Sequence, residues 1–313
     1  MTVFPNTLSC ILAIDTGGTF FKSAFVDPDG EILADTQHTV PVDSQGPASG
    51  IMAAYSSVLE TAFAAASVAV ADAFTPARRI VAIGVSTPGP FDYARHTSLM
   101  THKFQAIRGL DLRRELRELY SEIGDTPLWF IHDAHAFVIG EHGHGAARGH
   151  ERVIGVTLGT GIGCGCMIDG AIRDNGSGGP LVSIFQKPCR DGLLEDYVSR
   201  RGIIRLYREH AGRDAPPGLD VAEIAALALT REDRAAQAAF ADAGRALGET
   251  LRPVIDELSA TCLVTGGQIA RAFPLFGPAL TDALAGCGSL RLVTAARHID
   301  TASLYGAAMA AAG

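Results

Sequence analysis

The chain has 313 residues, of which 47% are hydrophobic and 19% charged, and its formal net charge is −8. This apolar content is sufficient for a packed core and excludes the disordered class, while the length allows two domains of ordinary size. The negative charge argues against nucleic acid as the main partner, although one glycine-rich loop on an acidic protein can still bind a phosphate.

The spacing of apolar residues predicts strands and helices that alternate along the chain. In chain order we predict a meander over 10–38, a helix over 48–73, a buried strand over 79–86, a helix over 110–119, a strand over 128–133, a helix over 134–141, a hairpin over 152–172, an irregular segment over 174–192, helices within 193–258, a strand over 261–267, a helix over 268–285, a strand over 289–293 and a helix over 301–312. This order indicates an α/β fold with mixed sheets.

The cysteines indicate a reducing compartment. None of the six forms a CxxC pair, and four of them lie in apolar, strand-like runs, where a free cysteine behaves as a small hydrophobic residue. The N-terminal residues lack the basic and apolar regions of a signal peptide. The apolar stretch 61–74 is too short to cross a bilayer and contains Asp72. We therefore expect a cytoplasmic protein without a membrane segment.

Two segments of the chain have a similar form. The sequences "AIDTGGTFFKSAFVDPDGEI" and "GVTLGTGIGCGCMIDGAI" each read as a strand, a Gly-rich turn, a second strand and an Asp-Gly turn. Residues 15–19 correspond to 157–161. This repeat predicts two related domains, each beginning with a hairpin whose glycine turn faces a common cleft.

The glycine turns are candidate phosphate loops. Glycine occupies every second position from Gly159 to Gly165, which clears one face of the hairpin for close approach of phosphate oxygens to backbone N–H groups. Neither turn has the GxGxxG or the GxxxxGK[ST] spacing. A single turn of this kind would favour a hairpin that merely packs under a neighbouring strand. Two such turns, each with threonine, favour phosphate binding.

Two aspartates stand at the carboxyl ends of predicted strands. Asp15 precedes the first glycine turn, where a carboxylate would repel a phosphate unless a cation such as water-bridged Mg²⁺ lay between them. Asp133 follows the strand that contains Trp129 and precedes a helix. In α/β folds this position often carries chemistry, and phosphoryl transfer needs a carboxylate that accepts the proton of the acceptor hydroxyl. The alternatives are a turn cap for Asp15 and a helix cap for Asp133.

Five motifs in this order, "AIDTGGTFFKSAFVD", "GVSTPGPFD", "HDAHAFVIGE", "VTLGTGIGCGCMIDG" and "LVTGGQIARAF", resemble the ROK family of sugar kinases. The resemblance covers nearly the whole chain. It implies two related actin-like ATPase domains with mixed β-sheets flanked by helices around a central cleft. We expect them at 1–128 and 129–300, with 301–313 packing back on the first. The DNA-binding extension of the family's repressors is expected to be absent.

The resemblance implies ATP and Mg²⁺ as cofactors and a sugar as the phosphate acceptor, with Asp133 as general base. It implies sugar contacts from Gly89, His132 and Glu195, and we expect a homodimer. The predicted nucleotide contacts are Asp15 (near Mg²⁺), Gly17, Gly18, Thr19, Thr157, Gly159, Thr160, Gly161, Gly266 and Gly267.

The chain also departs from the family's pattern. The Glu and His of the family's ExGH motif have no counterpart, and only Cys189 remains of its zinc-binding cysteines, so we predict no structural zinc. Where the family usually has an asparagine before the base, this chain has His132. A metal cluster at His142 and His144 is an alternative that the surrounding sequence does not favour. These losses leave a second hypothesis open, a sugar- or nucleotide-sensing protein with weak turnover. The presence of Asp133 argues against it, because a sensor does not need a general base.

Overall fold

The computed structural model describes residues 7–68, 77–212, 216–230 and 232–313. The strands are β1 (Thr7–Thr16), β2 (Phe20–Val26), β3 (His38–Pro41), β4 (Ala77–Thr87), β5 (Phe91–Asp92), β6 (Thr97–Ser98), β7 (Leu128–His132), β8 (Val153–Leu158), β9 (Ile162–Ile168), β10 (Ala171–Arg173), β11 (Pro188–Cys189), β12 (Gly192–Leu193), β13 (Cys262–Gly266) and β14 (Leu292–Ala295). The helices are α1 (Ala48–Val68), α2 (Leu112–Leu119), α3 (Asp133–His144), α4 (Glu195–Val198), α5 (Arg200–Ala211), α6 (Val221–Thr230), α7 (Arg234–Leu258), α8 (Phe273–Ala283) and α9 (Ala302–Ala312).

The chain folds into two compact units. The first contains the residues up to Gly143 together with 174–179 and 301–313, and the second contains 144–173 and 180–300. The sequence predicted the end of the first domain at residue 128. The first unit continues to Gly143 because β7 is hydrogen-bonded to β4 and so extends the same sheet.

The sheet of the first unit has the strand order β3-β2-β1-β4-β7. The outer pairs β3–β2 and β2–β1 are antiparallel, whereas β1, β4 and β7 run parallel. Alternate residues of β1 point to opposite faces. Leu12 and Ile14 belong to the core that contains Tyr55 of α1, and Ala13 packs with Leu304 of α9.

Helix α9 packs so closely against this sheet that the backbones of the helix and of β4 are in contact. A Cβ added to Gly84 of β4 would lie 2.1 Å from the carbonyl oxygen of Ala307, and one added to Gly306 would lie 1.8 Å from that of Ala136 in α3. Only glycine permits such close packing. The small residues near the C-terminus therefore attach α9 to the first unit.

The second unit repeats the topology of the first. Its sheet has the order β10-β9-β8-β13-β14, with the first two pairs antiparallel and the last two parallel. Helices α7 and α8 pack closely, because a Cβ on Gly244 would lie 2.1 Å from the carbonyl oxygen of Phe276. The two sheets share strand order and direction, which confirms the two related α/β domains inferred from the repeat.

Most predicted elements are confirmed, and the differences have local causes. The predicted helix over 268–285 is a 3₁₀ turn at Gln268–Ala272 followed by α8, because Pro274 is suited to the first turn of a new helix. The predicted irregular segment 174–192 contains β11, which pairs with β12. Residues 69–73 of the predicted first helix lie outside the described residues. No helix in the described ranges is long and apolar enough to cross a membrane.

Candidate functional site

Asp15 and Asp133 lie at the same edge of the first unit's sheet. Parallel strands end at one edge, and the register pairs Asp15 with Ser86 and Thr87 with His132. Asp133 is the next residue after β7 and the first residue of α3. Topology thus brings together two carboxylates that are 118 positions apart in the sequence.

The carboxylate of Asp15 is half-buried and accepts a hydrogen bond from the neighbouring strand β4. The Ser86 hydroxyl donates a hydrogen bond of 2.9 Å to Oδ1 of Asp15. Burial raises the pKa of this carboxyl above its ordinary value, and the charge of Asp133 adds to that effect, while the Ser86 hydrogen bond, Lys22 and Lys103 oppose it. An additional positive charge here would therefore stabilise the ionised form. This environment fits a divalent cation such as Mg²⁺ bound through water.

Asp133 is held in its ionised form by its neighbours. Nδ1 of His132 lies 3.0 Å from Oδ1 of Asp133, and the backbone N–H of Ala134 donates to the same oxygen at 2.7 Å. Burial opposes ionisation, but His132, Lys103 and the Ala134 N–H outweigh it and hold the pKa of Asp133 well below its usual range. The carboxylate therefore has its lone pairs available as a proton acceptor at neutral pH.

Gly89 and His132, which the sequence predicted as sugar contacts, are in contact within this unit. The His132 side chain is buried, and its Nε2 lies 3.1 Å from the position of a Cβ on Gly89. A larger residue at position 89 would press on the ring that contacts Asp133. The next histidine, His135, has its ring centroid 5.3 Å from that of His132. Burial and the charge of His132 lower the pKa of His135 to about 4, so this imidazole is neutral at pH 7.

Seven buried side-chain polar atoms of the first unit have no hydrogen-bond partner within the described residues, and three of them belong to residues near Asp133. These three are Oγ1 of Thr87, the hydroxyl of Tyr93 and Nε2 of His135. Thr87 pairs with His132 across the sheet, and the charge of Asp133 contributes to the raised pKa of Tyr93 after burial. Unsatisfied buried polar groups are uncommon because they cost free energy. These atoms fit a ligand rich in hydroxyl groups.

The first glycine turn connects β1 and β2. A Cβ on Gly17 would lie 2.8 Å from the carbonyl oxygen of Phe20, and one on Gly18 would lie 3.4 Å from Oγ of Ser44. Thr19 is exposed and its carbonyl accepts a hydrogen bond of 2.9 Å from the N–H of Val42. The predicted nucleotide-binding residues of this turn therefore follow Asp15 directly in a tight loop.

The second glycine turn connects β8 and β9 in the second unit. Thr160 and Gly161 are exposed, and the N–H of Gly159 donates to the carbonyl oxygen of Gly161 at 3.0 Å. The nearest atom to a Cβ on Gly159 would be 3.9 Å away, so this side of the turn is open. Thr157 precedes the turn and pairs with Gly163. An open, exposed turn in which glycines flank Thr160 is suited to a phosphate group.

The predicted adenosine-region glycines lie beside this turn. Gly266 ends β13 opposite Thr157, and Gly267 follows with φ of 77°. A Cβ on Gly267 would lie 2.2 Å from the carbonyl oxygen of Leu158. Both the left-handed backbone and the close approach require glycine at this position.

Glu195 also lies beside the second glycine turn. One carboxylate oxygen, Oε2, is 3.2 Å from the position of a Cβ on Gly161, and the other, Oε1, is 2.9 Å from Nη2 of Arg201. The sequence predicted Glu195 as a sugar contact. Within its own unit, Glu195 is thus a neighbour of the predicted phosphate loop.

Sequence reasoning missed Ser86, Tyr93, Lys103 and Arg201. Ser86 lies in the quoted motif "GVSTPGPFD", whose register against β1 could not be derived from that motif alone. The others lie in a loop or at a helix start, where tyrosine, lysine and arginine are common and carry no distinctive spacing.

Among the described residues, no group of three or more histidine, cysteine, aspartate or glutamate side chains is arranged to hold a metal ion. Cys189 is buried in the core of the second unit. Nε2 of His298 lies 3.0 Å from the carbonyl oxygen of His144. The absence of structural zinc stays a prediction that elemental analysis can test.

We expect purified protein to contain no stoichiometric zinc, because the cysteine and histidine ligands of a structural site are missing from the sequence. A chelator should consequently leave the thermal unfolding midpoint unchanged, measured by circular dichroism. About one zinc ion per chain, lost together with the folded signal on chelation, would contradict this.

Two α/β units of the same strand order, each with a Gly-rich hairpin, define an actin-like ATPase fold. The model of the ROK family matches residues 11–313, and the chain belongs to that family.

The sequence of the chain is similar both to sugar kinases and to repressors. It is 28% identical over 209 residues to a glucokinase from Thermotoga maritima, a match that covers 64% of this chain and 60% of that protein. It is 27% identical over 135 residues to a xylose repressor from Bacillus subtilis, covering 40% of this chain and 34% of that protein.

The fold agrees with that of a solved structure described as a ROK family glucokinase from Streptomyces griseus in complex with glucose and AMPPNP. The TM-score is 0.79, the sequence identity is 23%, and the match covers 97% of this chain and 99% of that one. At this identity the likeness establishes the fold alone.

Proposed function

We propose that the chain is an ATP-dependent kinase that transfers the γ-phosphate to a hydroxyl of a sugar, a hexose or a hexose derivative. The observation that carries the proposal is the pair of carboxylates, Asp15 and Asp133, at one edge of a parallel sheet directly beside a glycine turn. The ROK membership and the glucokinase from Thermotoga maritima support it.

In this proposal Asp133 is the general base. The N–H of Ala134 and the ring of His132 orient the carboxylate and keep it ionised, which is the form that can accept the proton of the attacking hydroxyl. Proton transfer to a positioned carboxylate is the part of phosphoryl transfer that a side chain must perform. The remaining catalysis consists of positioning and charge stabilisation.

The glycine turns bind the nucleotide. The exposed turn at Thr160 and Gly161 binds the phosphates through its backbone. The further nucleotide contacts that the family resemblance implies are Gly17, Gly18, Thr19, Gly266 and Gly267. Asp15 would hold Mg²⁺ through water. ATP supplies the transferable phosphoryl group and Mg²⁺ neutralises its charge.

The sugar is held on the side of Asp133. Gly89, His132 and Glu195 are the contacts that the family resemblance implies. The unpartnered polar atoms of Thr87, Tyr93 and His135 support a hydroxyl-rich acceptor in the first unit, since a sugar would satisfy them. The homodimer and the cytoplasmic location also stay predictions.

The test is ADP production from ATP and Mg²⁺ in the presence of a panel of hexoses and N-acetylated hexosamines. Sugar-dependent ADP release with one or more of them is expected. Binding of sugar or nucleotide by calorimetry, without ADP release for any sugar, would instead favour the sensor, a function that the xylose repressor among the relatives also supports.

Replacing Asp15 by alanine should reduce turnover and raise the Mg²⁺ concentration needed for half-maximal rate. Removing a group that holds a metal through its shell of water typically costs about 10–100-fold in metal affinity or activity. Sugar affinity should change much less, because the carboxylate acts on the cation. The measurement is the initial rate at fixed ATP over a range of Mg²⁺ concentrations.

The matched control for this variant is Asp29→Ala, which removes an exposed carboxylate from the turn after β2 in the same unit. It should keep the Mg²⁺ dependence of the wild type. If Asp15→Ala also kept it and lost only thermal stability, Asp15 would be a turn cap.

A further inference from the structure

The segment before helix α5 packs directly on the second glycine turn. The N–H of Arg200 donates a hydrogen bond of 2.8 Å to the carbonyl oxygen of Gly159, and Ser199, which caps α5, is fully buried. Glu195 reaches the same turn from α4, with Oε2 at 3.2 Å from the position of a Cβ on Gly161. These contacts lie within the second unit and join Glu195 to the predicted phosphate loop.

A carboxylate at this place is unfavourable for a phosphate ligand. The side chain of Glu195 is only 21% exposed, so water screens its charge poorly. Like charges at short distance repel, and the phosphates of a nucleotide carry several negative charges. A glycine turn beside an uncompensated glutamate would therefore bind ATP weakly.

Arg201 is placed to compensate this carboxylate. Nη2 of Arg201 lies 2.9 Å from Oε1 of Glu195 and 3.1 Å from Oδ1 of Asp196. The adjacent arginine points elsewhere, since Nε of Arg200 lies 2.8 Å from Oδ1 of Asp220. The Arg201 side chain is 64% exposed.

We propose that Arg201 is a positioning residue for the nucleotide, acting through Glu195. Its guanidinium neutralises the glutamate and holds one carboxylate oxygen away from the glycine turn, so that the phosphates of ATP can approach the exposed backbone at Thr160 and Gly161. This inference rests on the proposed ATP-dependent function and adds a charge-balancing pair to the phosphate loop.

A merely structural salt bridge makes a different prediction. An exposed ion pair contributes little to stability, and its loss would change the unfolding midpoint slightly and affect ATP no more than sugar. Charge compensation instead predicts a loss that is specific for the anionic ligand, that increases at low salt, and that disappears when Glu195 is also made neutral.

The experiment is direct binding of ATP with Mg²⁺ by isothermal calorimetry, which avoids any effect of Glu195 on turnover. Arg201→Ala should weaken ATP binding by roughly five- to tenfold, in the range expected for one partly screened charge. Arg201→Lys, which keeps the charge, should remain near the wild type. The double variant Glu195→Gln with Arg201→Ala should recover the affinity that Arg201→Ala loses.

The matched control is Arg208→Ala, which removes an arginine from the same helix about two turns further along. It should bind ATP as the wild type does. A folded Arg201→Ala protein with wild-type ATP affinity, or a double variant that is as weak as Arg201→Ala alone, would overturn the inference and leave the proposed function intact. A wild-type chain that bound no ATP would overturn both.

Discussion

Replacing Asp133 by asparagine is expected to reduce turnover by about 10²–10⁴-fold, the usual cost of removing a general base. Asparagine has nearly the same shape, but its amide cannot accept the proton of the sugar hydroxyl. The Ala134 N–H can still bond the remaining side-chain oxygen, so the start of α3 should persist. Affinities for sugar and ATP should stay within several-fold of the wild type, as measured by steady-state kinetics and calorimetry.

A matched control for this variant is Asp125→Asn, which makes the same chemical change in an exposed loop of the same unit. Its turnover should equal that of the wild type. Near-wild-type turnover of Asp133→Asn would show that Asp133 only caps the helix, since a cap can be supplied by asparagine as well as by aspartate. In that case the general-base role of Asp133 is wrong, and another group must accept the proton.

Replacing Gly161 by valine is expected to weaken the use of ATP far more than that of sugar. The added side chain would stand on the exposed turn where the phosphates are proposed to bind, and displacing a reacting group by about 1 Å can cost roughly 10²-fold in rate. In the free protein its first atom would meet only the end of the Glu195 side chain, at 3.2 Å. A flexible side chain can move, so the variant should fold.

Gly159→Ala gives a second test of the same turn with less disturbance. A Cβ there has its nearest neighbour at 3.9 Å, so the folded state should accept it without strain. A reduced ATP affinity with an unchanged unfolding midpoint would support phosphate binding. A folded Gly161→Val protein with unchanged ATP affinity would remove the phosphate-loop assignment, and circular dichroism before each titration establishes that the variants are folded.

The two Gly-rich hairpins, and the strands at whose carboxyl ends Asp15 and Asp133 lie, could be predicted from the sequence. Their signals are local, since apolar runs of strand length are followed within a few residues by glycines or by a helix-starting aspartate. The ROK membership followed from five such motifs in order and is confirmed over residues 11–313. The roles predicted for the individual residues depend on the experiments described above.

Local sequence patterns could not predict to which of the two units a segment belongs. Residues 128–143 follow a loop and precede the second hairpin, so the sequence alone does not indicate which sheet they join. Pairing of β7 with β4, about 45 positions apart, places them in the first unit. Likewise, the small residues of α9 predict a helix. Where this helix packs depends on the close approach of its backbone at Ala307 to Gly84 of β4.

The series of elements and the repeat follow from the sequence alone, because they depend on the period of apolar residues and on the backbone preferences of neighbouring residues. Which side chains meet depends instead on the fold. Ser86 bonds Asp15 through the register of parallel strands, and Glu195 and Arg201 meet the turn at Gly161 through the packing of α4 and α5. Contacts of this kind join residues far apart in the chain, and no local pattern specifies them.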